Sequence, residues 1–215
     1  MIKLKYKWNP TYRKVFLYCG ILMLASELWK QWTLTFLFNQ GHYNWWYFPF
    51  QLCSIPMYVC LLLPFVTSPK IHSILLTFLM DFGLLAGIFT FFDTSGLHYG
   101  YVPLTMHSYI WHIILILLGI FAGITKEADI SLRGYAGSAS LFLGCCILAT
   151  VFNHLFHYEG EINMFYISPY YVMNQKFFCH IARIFGNGAG IASYIFAILI
   201  GAFIFHQLWK YFLSR

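Results

Sequence analysis

Charge is what this sequence has least of. Of 215 residues only 9% are Asp, Glu, Lys or Arg, and just 7 are acidic, against roughly 25% charged in a soluble domain. That is too little polar surface to cover a water-facing globule, so a soluble enzyme or binding domain is excluded. Metal and redox cysteine spacing is missing as well. Cys19, Cys53, Cys60, Cys145, Cys146 and Cys179 contain no CxxC pair and no zinc spacing. No repeat or low-complexity linker interrupts the chain, and no cofactor or resident metal is called for. The start does not read as a signal peptide: Met1–Lys14 is basic and aromatic, and the apolar run behind it is too long and lacks a small-residue cleavage pattern.

What is present is apolar: 60% of residues are hydrophobic and 21% aromatic. The fold class that follows is all-α, a polytopic transmembrane helix bundle forming a single domain over 1–215. Six segments approach the ~20 residues that a tilted helix needs to cross a bilayer. They are Val15–Phe38, Phe48–Val66, Ile71–Phe92, Pro103–Ile124, Ala136–Phe156 and Gly188–Phe212. The long connection His157–Asn187 is aromatic enough to hold a seventh or re-entrant segment.

The net charge of +6 points to topology rather than to nucleic acid. Lys3, Lys5, Lys7, Arg13 and Lys14 precede the first span, Lys70 lies in the second connection, Lys126 and Arg133 in the fourth, and Lys210 and Arg215 at the end. The first and third connections carry no cation. This alternation places both termini in the cytoplasm of a multi-pass cell-membrane protein. Tyr43–Tyr47 then form an aromatic belt on the outer face.

Polar residues within spans are costly and need a reason. Glu27 and Lys30 are one turn apart in the first span and can pair. Asp81, in mid-span, has no local partner and is expected to be protonated or to pair across helices with Lys30. More informative is the outer end. Cys53 is expected roughly 7 Å into the second helix at 1.5 Å per residue, His107 at a similar depth in the fourth, and His112 about 7 Å deeper. Asn153, His154 and His157 rise to the same side, with Asp93, His98 and Asn163 in the connections.

Three readings compete. A thiol beside an imidazole makes a nucleophile, and phospholipid ester carbonyls lie near the depth estimated for Cys53. A lipid acyltransferase would use Cys53, with His107 or His112 as base and Gln51 as a donor to the oxyanion. A metal-dependent hydrolase would use His98, His107, His154, His157 and Asp93. A non-catalytic binder or transporter would use Glu27, Lys30 and Asp81 as a path.

Several runs also resemble a known family. Pro49-Phe50-Gln51-Leu52-Cys53-Ser54-Ile55 is similar to the Pro-x-x-Leu-Cys-x-Ile signature of the YwaF-type integral membrane family, which is related to the eukaryotic transmembrane protein 164, a lipid acyltransferase. Phe82-Gly83-Leu84-Leu85-Ala86-Gly87 resembles its aromatic-Gly-Leu-Ala-Gly run, Phe92-Asp93 its Pro-Asp, and His112 with Ile113-Ile114-Leu115-Ile116 its histidine and aliphatic run. Asn153 and Asn163-Met164-Phe165-Tyr166 resemble its Asn and Asn-x-x-Tyr. The resemblance covers roughly 15–205. It implies Cys53 and His112 as the catalytic pair, ahead of His107. Gln51, Asn153, His154, Asn163 and Tyr166 are the candidate substrate contacts. The partners expected are membrane phospholipids, a diacyl donor and a lysolipid acceptor.

Overall fold

The computed structural model describes residues 8–214; the cations at Lys3, Lys5, Lys7 and Arg215 lie outside them. Among the described residues there are seven helices and no strands: α1 Pro10–Trp32, α2 Ile55–Leu62, α3 Pro69–Phe92, α4 Val102–Ile124, α5 Leu132–Leu155, α6 Phe178–Phe185 and α7 Asn187–Leu213. Helices α3, α4, α5 and α7 are long and apolar enough to cross a membrane. α1 runs on through a π-helical stretch, Thr33–Phe38, and carries Glu27 and Lys30.

Helix starts follow local chemistry. Asn9 caps α1 by accepting from the Thr11 N–H, with Pro10 in the first turn. Ser68 caps α3 ahead of Pro69, and Ser131 caps α5 by accepting from Gly134. Proline in a first turn loses no helical hydrogen bond and arrives with φ already set.

The second expected span needs correcting. Residues 48–54 are not helical: Ser54 and Ile55 donate to the Gln51 carbonyl at 2.8 and 3.3 Å, a tight turn, and α2 begins only at Ile55. Pro56 is the cause. It has no N–H to donate back to Leu52, and its ring blocks the preceding helical turn. Pro64 ends the element in a 3₁₀ turn, Leu63–Phe65, so Ile55–Phe65 is too short to span alone. Cys53 therefore sits in a turn, and a depth counted along a helix does not apply to it. Irregular backbone of this kind is tolerated at membrane depth where it lines a cavity or is buried in protein.

No seventh crossing forms in the long connection. α6 is only eight residues, and the stretch before it folds back into the bundle, burying Ile162, Met164, Phe165, Ile167 and Met173. Its anchor is Asn153 on α5, which accepts from the Met164 N–H (2.7 Å) and donates to the Met164 carbonyl (3.1 Å). Phe165 packs on Phe142 and Phe50, extending an aromatic stack of Phe78, Phe82 and Phe142 with centroids 5.0–5.3 Å apart. Phe165 and Tyr166 both adopt positive φ, 57° and 58°, a conformation costing non-glycine residues about 1–2 kcal/mol each.

Asp81 does pair across helices, but not with Lys30. Its partner is His206 on α7, Nδ1 to Oδ2 at 2.8 Å, with both side chains fully buried. Lys30 pairs instead with Glu27, at 2.8 Å.

Candidate functional site

The turn before α2 opens onto a cavity of about 800 Å³. Its walls come from α1 (Glu27, Lys30), the turn (Gln51, Cys53), α4 (His107, His112) and the folded-in connection (Tyr166). Residues far apart in sequence thus meet at one end of the bundle.

Cys53 is half-buried, and its position is set by α4: the Trp111 indole N–H donates to the Cys53 carbonyl at 3.0 Å. The turn is thereby docked beside the residue next to His112, which removes the depth estimate that favoured His107. His112 is 7% exposed, with Nδ1 2.8 Å from the Ser108 carbonyl. A carbonyl only accepts, so Nδ1 carries the hydrogen and, in the neutral ring, Nε2 holds the free lone pair. This is the tautomer a general base needs.

His107 is different. Both its ring nitrogens are buried without a hydrogen-bond partner among the described residues, and the ring lies between Trp29 and Trp111, with centroids 5.8 and 5.5 Å away. Gln51 lines the cavity but donates to the Asn163 carbonyl at 2.9 Å, and its Oε1 is buried without a partner. One of its two amide hydrogens is already committed, which halves what it can offer an oxyanion.

Three candidate contacts lie away from the cavity. Asn153 is fully buried and spends its amide on Met164. Asn163 accepts from the Ser168 N–H at 3.0 Å. His154 faces the Tyr170 hydroxyl at 3.1 Å. All three shape the connection that delivers Tyr166 to the cavity. The residues grouped for metal chemistry fall into two places: Asp93, His98 and His107 line the cavity, with His98 bonding the Thr94 carbonyl at 2.8 Å, whereas His154 and His157 both lie against Tyr170; among the described residues no three His, Cys, Asp or Glu side chains gather as a metal site needs. Asp81 is not part of the cavity wall.

Residue patterns alone did not single out Trp111, Tyr99 or Tyr194, all of which line the cavity. Trp111 carried one signal, a large polar-tipped ring next to a candidate histidine. At the mouth, Asp93 and Lys176 join two connections by a 2.9 Å ion pair. Hydrogen bonds from Ser95, followed by the Lys176 ammonium, pull the Asp93 carboxyl down to about 2.

No curated protein and no solved structure matches the chain. A family model matches residues 1–210, taking in the cysteine turn, His107, His112 and the folded-in connection. Four apolar spanning helices and a match over nearly the whole length lead to one conclusion: this multi-pass membrane protein belongs to the TMEM164 family.

Proposed function

We propose that the protein is a lipid acyltransferase that moves a fatty acyl group between phospholipids through a thioester on Cys53, with His112 as general base. The observation that carries this is a single cavity lined by Cys53 and by His112, whose Nδ1 is tied to Ser108, leaving Nε2 as the proton acceptor.

The His112 Nε2 takes the thiol proton, and the thiolate attacks the acyl carbonyl of a diacyl lipid. The tetrahedral intermediate collapses as the imidazolium returns the proton to the departing glycerol oxygen, releasing a lysolipid and leaving the acyl group on sulfur. A second lysolipid hydroxyl gives its proton to the same nitrogen, attacks the thioester and restores the thiol. Bulk water competes poorly in a site walled by Phe48, Phe89, Trp46 and Trp111. The charge distribution of the connections supports a site facing the outer leaflet, with both termini cytoplasmic.

The test is to incubate the purified protein with a diacyl phospholipid labelled in its acyl chain. A hydroxylamine-sensitive adduct is expected on the wild type and none on Cys53→Ala. Equal labelling of both proteins would refute the assignment.

A further inference from the structure

The cavity holds charges that the acyl-transfer chemistry does not use. Glu27 and Lys30 both line it, with side-chain exposures of 3% and 15%. Lys30 and the Gln31 amide both bond Glu27 Oε1, at 2.8 and 2.6 Å. No bond among the described residues falls on Oε2. An ion pair taken out of water adds little stability over an apolar pair of similar volume, so its presence on a cavity wall calls for a role toward a ligand.

His107 supplies an independent observation. Two ring nitrogens buried without partners forfeit hydrogen bonds that water would have supplied, and a ligand with a donor or acceptor restores them. Lys30, Glu27, His107 and Cys53 all line this one cavity, so the polar group and the nucleophile face the same space.

We propose that Glu27, Lys30 and His107 form a headgroup subsite that selects a zwitterionic phospholipid, one bearing both a phosphodiester and an ammonium, over an anionic one. Lys30 takes the phosphate oxygens, Glu27 takes the ammonium through its open oxygen, and His107 hydrogen-bonds the headgroup. Electroneutrality is the reason. A zwitterion exchanges one neutral pair for two, and the buried net charge stays at zero. An anionic headgroup occupies Lys30 but strands Glu27 beside a second negative charge at low dielectric, which is costly. This rests on the cavity being a phospholipid site.

The test reads binding, not turnover. The full-length Cys53→Ala protein is offered equimolar pairs of diacyl lipids with identical chains, phosphocholine against phosphoglycerol, and the retained lipid is measured by native mass spectrometry. A preference for phosphocholine of about tenfold is expected, the scale of one unpaired charged partner. Adding Glu27→Gln should reverse it, because Lys30 is then an unopposed cation; Glu27→Asp should restore it. His107→Phe should weaken both lipids alike. Should Glu27→Gln fail to fold, Lys30→Gln carries the test, and the phosphoglycerol lipid should be lost more than the phosphocholine lipid. No preference in the parent, or a preference unmoved by Glu27→Gln, overturns the subsite. A Cys53 adduct with headgroup indifference removes the subsite and keeps the acyltransferase. Headgroup selection without an adduct does the reverse.

Discussion

At the scale of single residues, the roles of His107 and His112 separate by their partners. His112 has a fixed tautomer through Ser108, whereas the His107 ring nitrogens have no hydrogen-bond partner among the described residues. His112→Asn keeps a donor for the Ser108 carbonyl but offers no base. Thioester formation on Cys53 should then slow about 10²–10⁴-fold, the range for a lost general base, while His107→Asn should alter lipid retention more than the adduct rate. Single-turnover labelling measures both. Asn153 is a structural residue by the same logic. Asn153→Ala leaves the buried Met164 N–H and C=O unpaired and should cost about 2–4 kcal/mol, seen as a lower Tm and faster proteolysis of residues 157–177. Cys53 stood out in the sequence as a thiol between prolines in an apolar run. The duty of Asn153 did not, since nothing local to α5 shows that a loop residue eleven positions on, Met164, will fold back against it.

At the scale of elements, proline and glycine decide the site. Pro56 keeps residues 51–54 out of α2, so the nucleophile rides on a turn that Trp111 pins from α4. Trp111→Phe removes that pin, and adduct formation should fall while the folded fraction changes little. Gly87 on α3 is the second device. A Cβ there would come within 2.8 Å of Ile116 Cγ1 and 3.0 Å of the His112 carbonyl oxygen, so only hydrogen allows α3 to lie directly on the turn carrying His112. A Cβ on Gly119 of α4 would likewise meet the Leu84 Cβ at 2.7 Å. Close backbone approach through small residues is how membrane helices pack tightly. Gly87→Val should displace His112 and cost about 1–3 kcal/mol of overpacking. Activity should drop with the catalytic groups intact, and thermal unfolding in detergent gives the stability change. The glycine run and His112 were both visible in the sequence; that one packs against the other was not.

At the scale of the molecule, two side-chain pairs hold opposite regions together. Asp81 and His206 join α3 to α7 inside the bundle, with His206 Nε2 also 3.1 Å from the Ser131 carbonyl. Asp93 and Lys176 tie two connections across the cavity mouth. The folded Asp93 carboxyl titrates at about 2, below the roughly 3.9 of an unfolded chain. Its contribution is therefore complete above the unfolded value and fades as pH falls toward 2. The gap in Tm between wild type and Asp93→Asn should be small and level from pH 5 to 8, shrink below about pH 4, and narrow in high salt as an exposed pair does. A gap that widens on acidification would assign Asp93 another role. Sequence by itself determined that the chain is a helical membrane bundle, where four of its long spans lie and which thiol to suspect, because hydropathy and helix-capping chemistry act over a few neighbouring residues. Only the tertiary structure decided that the second span breaks at Pro56, that the long connection folds inward, that Asp81 meets His206, and that Cys53, His112, Lys30 and Glu27 share one cavity. Those outcomes depend on contacts between helices distant in the chain, which local pattern does not encode.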